Sequence, residues 1–403
     1  MIEREGYDHR MNPRLGATLW ILVIGCVALG RGVYVSAQAT TKSTSKPAAT
    51  QPLTLPTEPK DGPPSPYARD LVIPPMELAE PAPGKRVRLT LPEYENTEIF
   101  YSLYLPTDWK PDRQFPVIVE YQGNGGAIAL PGRYDSCLGY GQSGGVGFIW
   151  ICLPYISPER TQQPTWWGDV PATLDFCRRV VRTVCERYGG DGSAVFLTGF
   201  SRGAIACNYL GLHDDETADI WLAFLPHSHY EGKWPGSKPE DRDAMLTRLA
   251  RLKGRSSFVT NEGPEIFPYA RDVIAQSDAP FTLVPLPHVR HTNSWVLEDC
   301  PQRRQLRQWL ADVIEKRPGT HDVSGRVTDA DGNGIEGARV EGGFTRWTFT
   351  GADGRYTLRS LTDGPRTVAA SKSGITFASE RVSVTVAGEH IRGIDFRGSP
   401  SND

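Results

Sequence analysis

Ser201 lies in the pentapeptide Gly199-Phe200-Ser201-Arg202-Gly203, between an apolar run of strand type and a stretch that is compatible with a helix. A serine at such a strand-to-helix turn is held with its hydroxyl clear of the backbone, as a nucleophile requires. The glycines leave room where the strand and the helix come together. The alternative is a glycine-rich turn with a capping serine, since G-x-S-x-G alone is common by chance. The flanking elements favour a catalytic serine.

A serine hydroxyl becomes a nucleophile only when a positioned base takes its proton. His291 directly follows the last strand of the alternating series, where a base completes the chain order serine, acid, histidine. His288 is the alternative base. The acid is expected after the preceding strand, residues 256–260, where Glu262 and Glu265 both lie. We expect Glu265, because the acid usually comes about three residues after the strand ends, and Glu262 is the alternative.

A tetrahedral intermediate at Ser201 would need backbone N–H groups directed at its oxyanion. One is expected from Arg202, the residue after the serine, and the other from the glycine-rich run 121–126 that follows an apolar strand. Asn124 is our choice of second donor. Three tryptophans could form an aromatic wall of the substrate pocket, with core packing as the alternative: Trp166, Trp167 and Trp295.

Other patterns in the chain are not expected to bind cofactors or metals. Residues 139–144 fit G-x-G-x-x-G but precede a strand, whereas a dinucleotide site follows one. Residues 329–334 begin like a calcium loop, but no bidentate glutamate follows at position twelve. His227 and His229 lack the accompanying ligands of a zinc site, and their place after a strand puts them at the pocket mouth. We therefore expect no cofactor and no metal.

The elements that carry these residues alternate between strands and helices. Apolar positions repeat with a helical period from 169 to 188, and continuous apolar runs begin at Pro116, Val146 and Ile220. Strands buried on both faces are typical of a parallel sheet. We predict an α/β domain over residues 81–318, with a mostly parallel sheet and helices on both faces.

The pattern changes after residue 318. Short alternating strands separated by Gly and Asp turns, without a helical period, predict a small all-β sandwich over residues 319–403.

The first 80 residues are expected to lie outside both domains. Residues 15–30 are continuously apolar after two arginines, and Ala37-Gln38-Ala39 resembles a cleavage site, so we predict a signal peptide over residues 1–39. An uncleaved anchor and a bacterial lipobox at residues 23–26 are the alternatives, and all three export the chain. Residues 40–80 are rich in Pro, Thr and Ser and predict a disordered linker.

The composition narrows the classes of partner. The chain has 403 residues and a formal net charge of −3, which gives no reason to expect nucleic acid or electrostatic attachment to a membrane. Membrane association is expected only through an uncleaved N-terminal anchor. Six of the seven cysteines would remain after cleavage and could form disulfides in an oxidising compartment. Their pairing and the oligomeric state are not predicted.

Around these residues the central domain resembles the α/β-hydrolase superfamily, through GFSRG at Ser201, YQGNGG at the loop and HTNSW at His291. Within it, the layout resembles exported polyhydroxybutyrate depolymerases and feruloyl esterases. Those relatives have an Asp-containing turn where this chain has Pro264 and Glu265. Residues 321–398 are similar to the carboxypeptidase regulatory-like module, also called transthyretin-like. The resemblance implies a non-catalytic role for it in attachment, stabilisation or contact with a substrate surface.

The sequence thus predicts an exported serine hydrolase, secreted, periplasmic or at the cell surface, that cleaves carboxylic esters, including polymeric or carbohydrate-linked ones. Two other functions stay open at this stage. A serine peptidase of the prolyl-oligopeptidase type would use the same serine, histidine and acid, and a non-catalytic surface binding protein would rely on the β-sandwich.

Overall fold

The computed structural model describes residues 65–125, 136–230, 239–266, 268–317, 320–343 and 346–401. The predicted signal peptide and most of the predicted linker lie outside the described residues, as does the 318/319 boundary. The linker prediction is wrong for residues 65–80, which belong to the folded α/β part: Met76–Glu77 pair with Arg86 and Val87, and Leu71 and Ile73 pack against the core. The other limits of the predicted domains stay predictions. None of the helices in the described ranges has the length and apolar character needed to cross a bilayer.

A nine-stranded sheet forms the larger part of the structure. In chain order its strands are β1 (Met76–Glu77), β2 (Arg86–Leu89), β3 (Tyr101–Tyr104), β4 (Phe115–Tyr121), β5 (Ile149–Leu153), β6 (Gly190–Phe200), β7 (Ala223–His227), β8 (Ser257–Glu262) and β9 (Phe281–Leu286). Their spatial order is β1-β2-β3-β5-β4-β6-β7-β8-β9. Strands β4 to β9 run parallel, and β3 is antiparallel to both of its neighbours.

Helices cover both faces of this sheet. They are α1 (Leu138–Ser143), α2 (Val170–Arg187), α3 (Arg202–Tyr209), α4 (Asp215–Ala218), α5 (Pro239–Leu249), α6 (Pro268–Ile274) and α7 (Pro301–Glu315). Successive residues of β4 show the two faces. Val117 and Val119 belong to the core cluster with α2 and α3, whereas Ile118 belongs to the cluster with α1 and α7. The predicted α/β architecture, a mostly parallel sheet with helices on both faces, is confirmed.

The elements form where the sequence pattern placed them. The apolar stripe predicted from 169 to 188 is α2, and the side chain of Asp169 caps it by accepting from Ala172 N at 3.0 Å. One strand is longer than predicted. The apolar run of β8 ends at Thr260, but its ladder with β9 continues to Glu262 paired with Leu286. This extension matters for the position of the acid.

The C-terminal residues form two packed sheets. Their strands are β10 (Thr320–Thr328), β11 (Arg339–Glu341), β12 (Trp347–Phe349), β13 (Arg355–Thr362), β14 (Gly364–Ser371), β15 (Ile375–Phe377), β16 (Arg381–Val386) and β17 (Phe396–Pro400). One sheet has the order β13-β10-β17-β15 and the other β12-β11-β14-β16. Their inward side chains form a separate core that includes Val327, Val340 and Phe396. This is the predicted β-sandwich.

The six cysteines of the described ranges were candidates for disulfides. No disulfide joins any two of them, and five are buried in the core. Burial raises the pKa of Cys152 and of Cys207, as expected for thiols that act as small apolar side chains.

One buried carboxylate joins β4 to α1. Glu120 is 1% exposed and accepts hydrogen bonds from the backbone N–H groups of Cys137, Leu138 and Gly139 and from Trp150 Nε1. Burial raises the pKa of Glu120 to about 7, and the amide donors lower it. The carboxylate thus closes the N-terminal end of α1 against the sheet.

We predict that Glu120→Gln lowers the free energy of unfolding by about 1–3 kcal/mol, because the NH2 of the new amide would face N–H donors and leave them unpaired. Urea denaturation at pH 8.5, above the pKa of Glu120, followed by circular dichroism, measures this. Glu95→Gln is the matched control on an exposed side chain. Equal midpoints for the two variants would show that the four donors do not need the carboxylate.

Candidate active site

The turn after β6 holds Ser201 in a strained conformation. Its φ of 54° and ψ of −113° lie outside the regions that non-glycine residues usually adopt. A Cβ on Gly199 would lie 2.2 Å from Gly203 O, and a Cβ on Gly203 would lie 2.0 Å from Tyr121 O. The two glycines are therefore required by close backbone approach, whereas the strain falls on the serine.

The hydroxyl of Ser201 is the first member of a hydrogen-bonded series. Its Oγ lies 3.1 Å from His291 Nε2, and His291 Nδ1 lies 2.6 Å from Glu262 Oε1. A carboxylate can only accept, so Nδ1 carries the proton and the bare Nε2 can accept from the serine. The three side chains follow or end β6, β8 and β9, whose carboxyl ends meet at one edge of the sheet.

The structure reverses the expected order of preference between the two glutamates. Glu265 is exposed beyond the end of β8, and it is Glu262 that contacts His291. The cause is the additional length of β8, whose last residue is Glu262. Counting from the end of the apolar run at Thr260 therefore favoured Glu265, which lies beyond the residue that contacts His291.

Glu262 is held as an anion. Burial, the largest single effect, would raise its pKa. The hydrogen bond from His291, together with smaller effects of the neighbouring histidines and the backbone, outweighs burial, and the pKa falls to about 2. Ser228 Oγ donates to the same oxygen, Glu262 Oε1, at 3.0 Å. The site therefore contains a permanent negative charge beside His291.

The alternative base is not part of this series. His288 is half-buried, and its ring packs edge-on against Tyr67 with centroids 4.8 Å apart. His291 has 49% of its side chain exposed and so faces solvent beside Ser201.

His227, expected at the pocket mouth, is instead buried below the site and connects its parts. Its backbone carbonyl accepts from Ser201 N at 3.0 Å. Its Nε2 lies 2.8 Å from the carbonyl of Thr292, and its Nδ1 lies 3.0 Å from Thr260 Oγ1. Because the Thr292 carbonyl only accepts, the proton is on Nε2. His227 thus joins the serine turn, β8 and the loop of His291, a role that sequence reasoning missed.

Two strained residues follow His227. Ser228 and His229 have φ values of 65° and 49°, which are uncommon for residues with a side chain. This backbone places Ser228 Oγ on Glu262 and puts the ring of His229 5.2 Å from that of His291. The signal in the sequence was a short polar run after a buried strand, which predicted both histidines at the pocket. That prediction fits His229, which lies beside His291, but not the buried His227.

The predicted oxyanion loop is the glycine-rich run at the end of β4, described for residues 121–125, and it lies beside the serine. Gly123 packs so closely on Phe200 that an added Cβ would lie 3.2 Å from its ring. Arg202 begins α3, where the first backbone N–H groups have no partner within the helix. Asn124 follows in the loop, and residues 126–135 lie outside the described residues.

The side chain of Arg202 binds the oxyanion loop to a second loop. Its guanidinium is 1% exposed and donates to the carbonyls of Gly123 at 3.1 Å and Trp166 at 2.7 Å. The Cζ atom of this guanidinium lies 3.8 Å from the ring centre of Tyr155, a cation–π contact. Asn124 Oδ1 in turn accepts from Trp166 N at 2.9 Å. Arg202 was predicted only for its backbone N–H, and its buried side chain was not foreseen.

The three candidate wall tryptophans have different surroundings. Trp295 is 1% exposed and packs on His227, so it belongs to the core. Trp167 is also buried. Trp166 is half-buried with a φ of 52°. Its N–H donates to Asn124 Oδ1, and its carbonyl accepts from Arg202. Trp166 is therefore the one of the three whose position suits a pocket wall.

A metal is the other chemistry that the site could support. His229, Glu262 and His291 have ligand atoms within 4.8 Å of one another, and two His with one Glu is a known zinc set. However, each ring nitrogen of His291 already has a partner, Glu262 or Ser201. A metal would have to break those hydrogen bonds, so the geometry favours nucleophile chemistry.

Comparison with known proteins identifies the C-terminal module. Residues 322–397 match the carboxypeptidase regulatory-like domain. The predicted resemblance is confirmed for this part of the chain. No curated protein sequence matches the chain.

Solved structures with similar folds include hydrolases of several kinds. One is a thermostable esterase, with 16% identity, 56% of this chain and 62% of that chain covered, and a TM-score of 0.37. An acetyl ester-xyloside bifunctional hydrolase from Caldicellulosiruptor lactoaceticus has 16% identity and a TM-score of 0.41, and the match covers 58% of this chain and 97% of that chain. A putative dipeptidyl aminopeptidase IV from Bacteroides ovatus has 14% identity and a TM-score of 0.42, and the match covers 57% of this chain and 35% of that chain.

The buried His227 gives a testable pH dependence. Burial lowers its pKa from 6.5 to about 4. The unfolded chain therefore binds this proton more readily than the folded chain, and stability present above pH 6.5 is lost as the pH falls to about 4. A shift of this size corresponds to about 3 kcal/mol. We predict that this part of the acid destabilisation is absent in His227→Gln, whose amide can still donate to the Thr292 carbonyl.

Urea denaturation at several values between pH 4 and pH 7.5 measures the effect as the difference between wild type and variant. His213→Gln, on an exposed histidine, should keep the wild-type slope. A His227→Gln protein with the same slope as wild type would contradict a buried neutral His227.

Proposed function

We propose that the chain is an exported serine hydrolase that cleaves carboxylic esters through an acyl-enzyme on Ser201. The observation that carries this proposal is the series from Ser201 Oγ through His291 to Glu262 Oε1, with distances of 3.1 and 2.6 Å. An activated serine needs both a base that accepts its proton and an acid that fixes the base's tautomer. The strained turn supports the same role.

In the first half of the reaction, Ser201 Oγ attacks the acyl carbon and its proton passes to His291 Nε2. The resulting imidazolium is stabilised by the charge of Glu262. When the tetrahedral intermediate collapses, the bond to the alcohol oxygen breaks and His291 returns the proton to the leaving alcohol. In the second half, water loses a proton to His291 and attacks the acyl-enzyme. The carboxylic acid leaves and Ser201 regains its proton.

The negative oxygen of each intermediate would be bound by the N–H groups of Arg202 and Asn124. Arg202 contributes twice, because its side chain also holds the carbonyl of Gly123, next to Asn124. A donor held in place before reaction needs no reorganisation when charge develops. The buried guanidinium is thus a positioning group for the oxyanion loop.

The half-exposed His291, which would return its proton to the alcohol, supports a site open on the side of the leaving alcohol. Such a site suits an alcohol that is part of a polymer or a carbohydrate. Export rests on the N-terminal sequence, and contact of the β-sandwich with a substrate surface rests on its family.

The first test is intact-protein mass spectrometry after incubation with a fluorophosphonate, for wild type and Ser201→Ala in parallel. We expect one adduct in wild type and none in the variant, because only an activated serine reacts with this reagent. A panel of p-nitrophenyl esters and peptide p-nitroanilides then defines the substrate. Faster cleavage of peptides would identify a peptidase, and no adduct in folded wild type would indicate a binding protein.

The two glutamates provide a matched pair of variants. We predict that Glu262→Gln lowers kcat by on the order of 10³- to 10⁴-fold, because the amide cannot stabilise the imidazolium and its NH2 can turn toward His291 Nδ1. Glu265→Gln should leave kcat within about twofold of wild type, since Glu265 is exposed away from His291. Steady-state ester hydrolysis at pH 8 measures both, and a larger loss in Glu265→Gln would exclude Glu262 as the acid.

A further inference from the structure

The ring of Phe200 contacts two histidines of the site. Its centre lies 4.7 Å from that of His291, with 42° between the ring planes, and 5.4 Å from that of His227, with 22° between the planes. Aromatic pairs in proteins have ring centres about 4.5–7 Å apart. The contact with His291 is at the short end of that range and far from perpendicular, so the two rings meet largely through their faces.

The backbone around Phe200 fixes the position of this ring. Phe200 is the last residue of β6, pairs with His227 in the ladder with β7 and directly precedes the strained Ser201. A Cβ added to Gly123 would lie 3.2 Å from the ring, and only 7% of Phe200 is exposed. The ring therefore has little room to turn away from His291 and little contact with water.

The face of a phenyl ring attracts cations, because its π electrons make the face electrically negative. In the proposed reaction His291 takes the proton of Ser201 and becomes a cation. Glu262 contacts that charge in the plane of the imidazole, where the Nδ1–H group donates to Oε1. A ring face beside the imidazole acts from outside this plane, in a direction that the carboxylate does not serve.

The other titratable groups around His291 have different roles. Burial lowers the pKa of His227 to about 4, so the second imidazole on Phe200 is neutral at neutral pH. Glu262 is an anion, and the ring of His229 lies edge-on to His291 with centres 5.2 Å apart. Of the two histidines that contact the Phe200 ring, His291 is thus the one that the reaction would charge.

We propose that Phe200 is a positioning residue that acts through His291: the face of its ring holds the imidazole and stabilises the imidazolium that forms there. The inference rests on the proposed function, because no imidazolium forms without transfer of the serine proton. The contact is stronger with the cation of the transition state than with the neutral imidazole of the resting site. Such an interaction increases the rate of the chemical step rather than the affinity for substrate.

The test replaces Phe200 in the full chain by 4-fluoro-, 3,5-difluoro- or 3,4,5-trifluorophenylalanine, because fluorine withdraws negative charge from the ring face and hardly changes the ring's shape. The rate constant of fluorophosphonate labelling is measured by intact-protein mass spectrometry. In that reaction Ser201 Oγ bonds to phosphorus, fluoride leaves and the proton passes to His291, so no substrate has to be known. We expect the rate constant to fall with each added fluorine, by about fivefold in total, which is the strength of a cation–π contact at a partly exposed site.

Phe196 is the matched control for these replacements. It belongs to the same strand and the same buried core cluster as Phe200, and its ring packs on Phe148. The same three fluorinated residues at Phe196 should leave the labelling rate unchanged. An equal loss at Phe196 would show that fluorine acts through packing of the core and would overturn the proposal.

Two further results would also overturn it: a labelling rate that is insensitive to fluorine at Phe200, or a single decrease that does not grow with the number of fluorines. If the trifluoro protein does not fold, the 4-fluoro protein should still react more slowly than wild type, and Phe200→Leu, which keeps an apolar side chain without a π face, should lose about fivefold or more. Absence of any adduct in wild type would instead reject the proposed function, and this inference with it.

Discussion

The close backbone contact at the serine turn is the constraint on which the rest of the site depends. Gly203 lies against the carbonyl of Tyr121, and Gly199 lies against Gly203, with no room for a side chain at either position. This contact forces β4, β6 and α3 together at one point. The strained Ser201 between the glycines is then fixed by its N–H bond to the carbonyl of His227. Strain of this kind persists only where the surroundings determine the backbone.

The groups around this contact form a continuous polar network. His227 connects the turn to the loop of His291, and Arg202 connects the start of α3 to the oxyanion loop. Both side chains are buried, so every contact they make replaces one with water, and an unpaired polar atom would be costly. The network therefore specifies a single arrangement of loops that have little regular structure. Such rigid support is what preorganised catalysis requires.

Much of the fold followed from local patterns. The continuous apolar runs of the strands and the helical period of α2 are easily told apart, so both are strong signals. The glycines of the turn could be recognised because their steric role involves residues close by in the chain. Ser201 and His291 could be identified because each lies directly beyond such a run. Glu262 could not be preferred over Glu265, because the end of β8 is set by its ladder with β9, and Asn261 and Glu262 continue that ladder with polar side chains. The apolar pattern of a strand does not show how far its hydrogen-bonded pairing with the neighbouring strand extends.

The buried roles of His227 and Arg202 could not be predicted for a related reason. Their partners are carbonyls of Thr292, Gly123 and Trp166, which every residue possesses, so no residue type marks them in the sequence. Only the path of the chain brings those carbonyls to the two side chains.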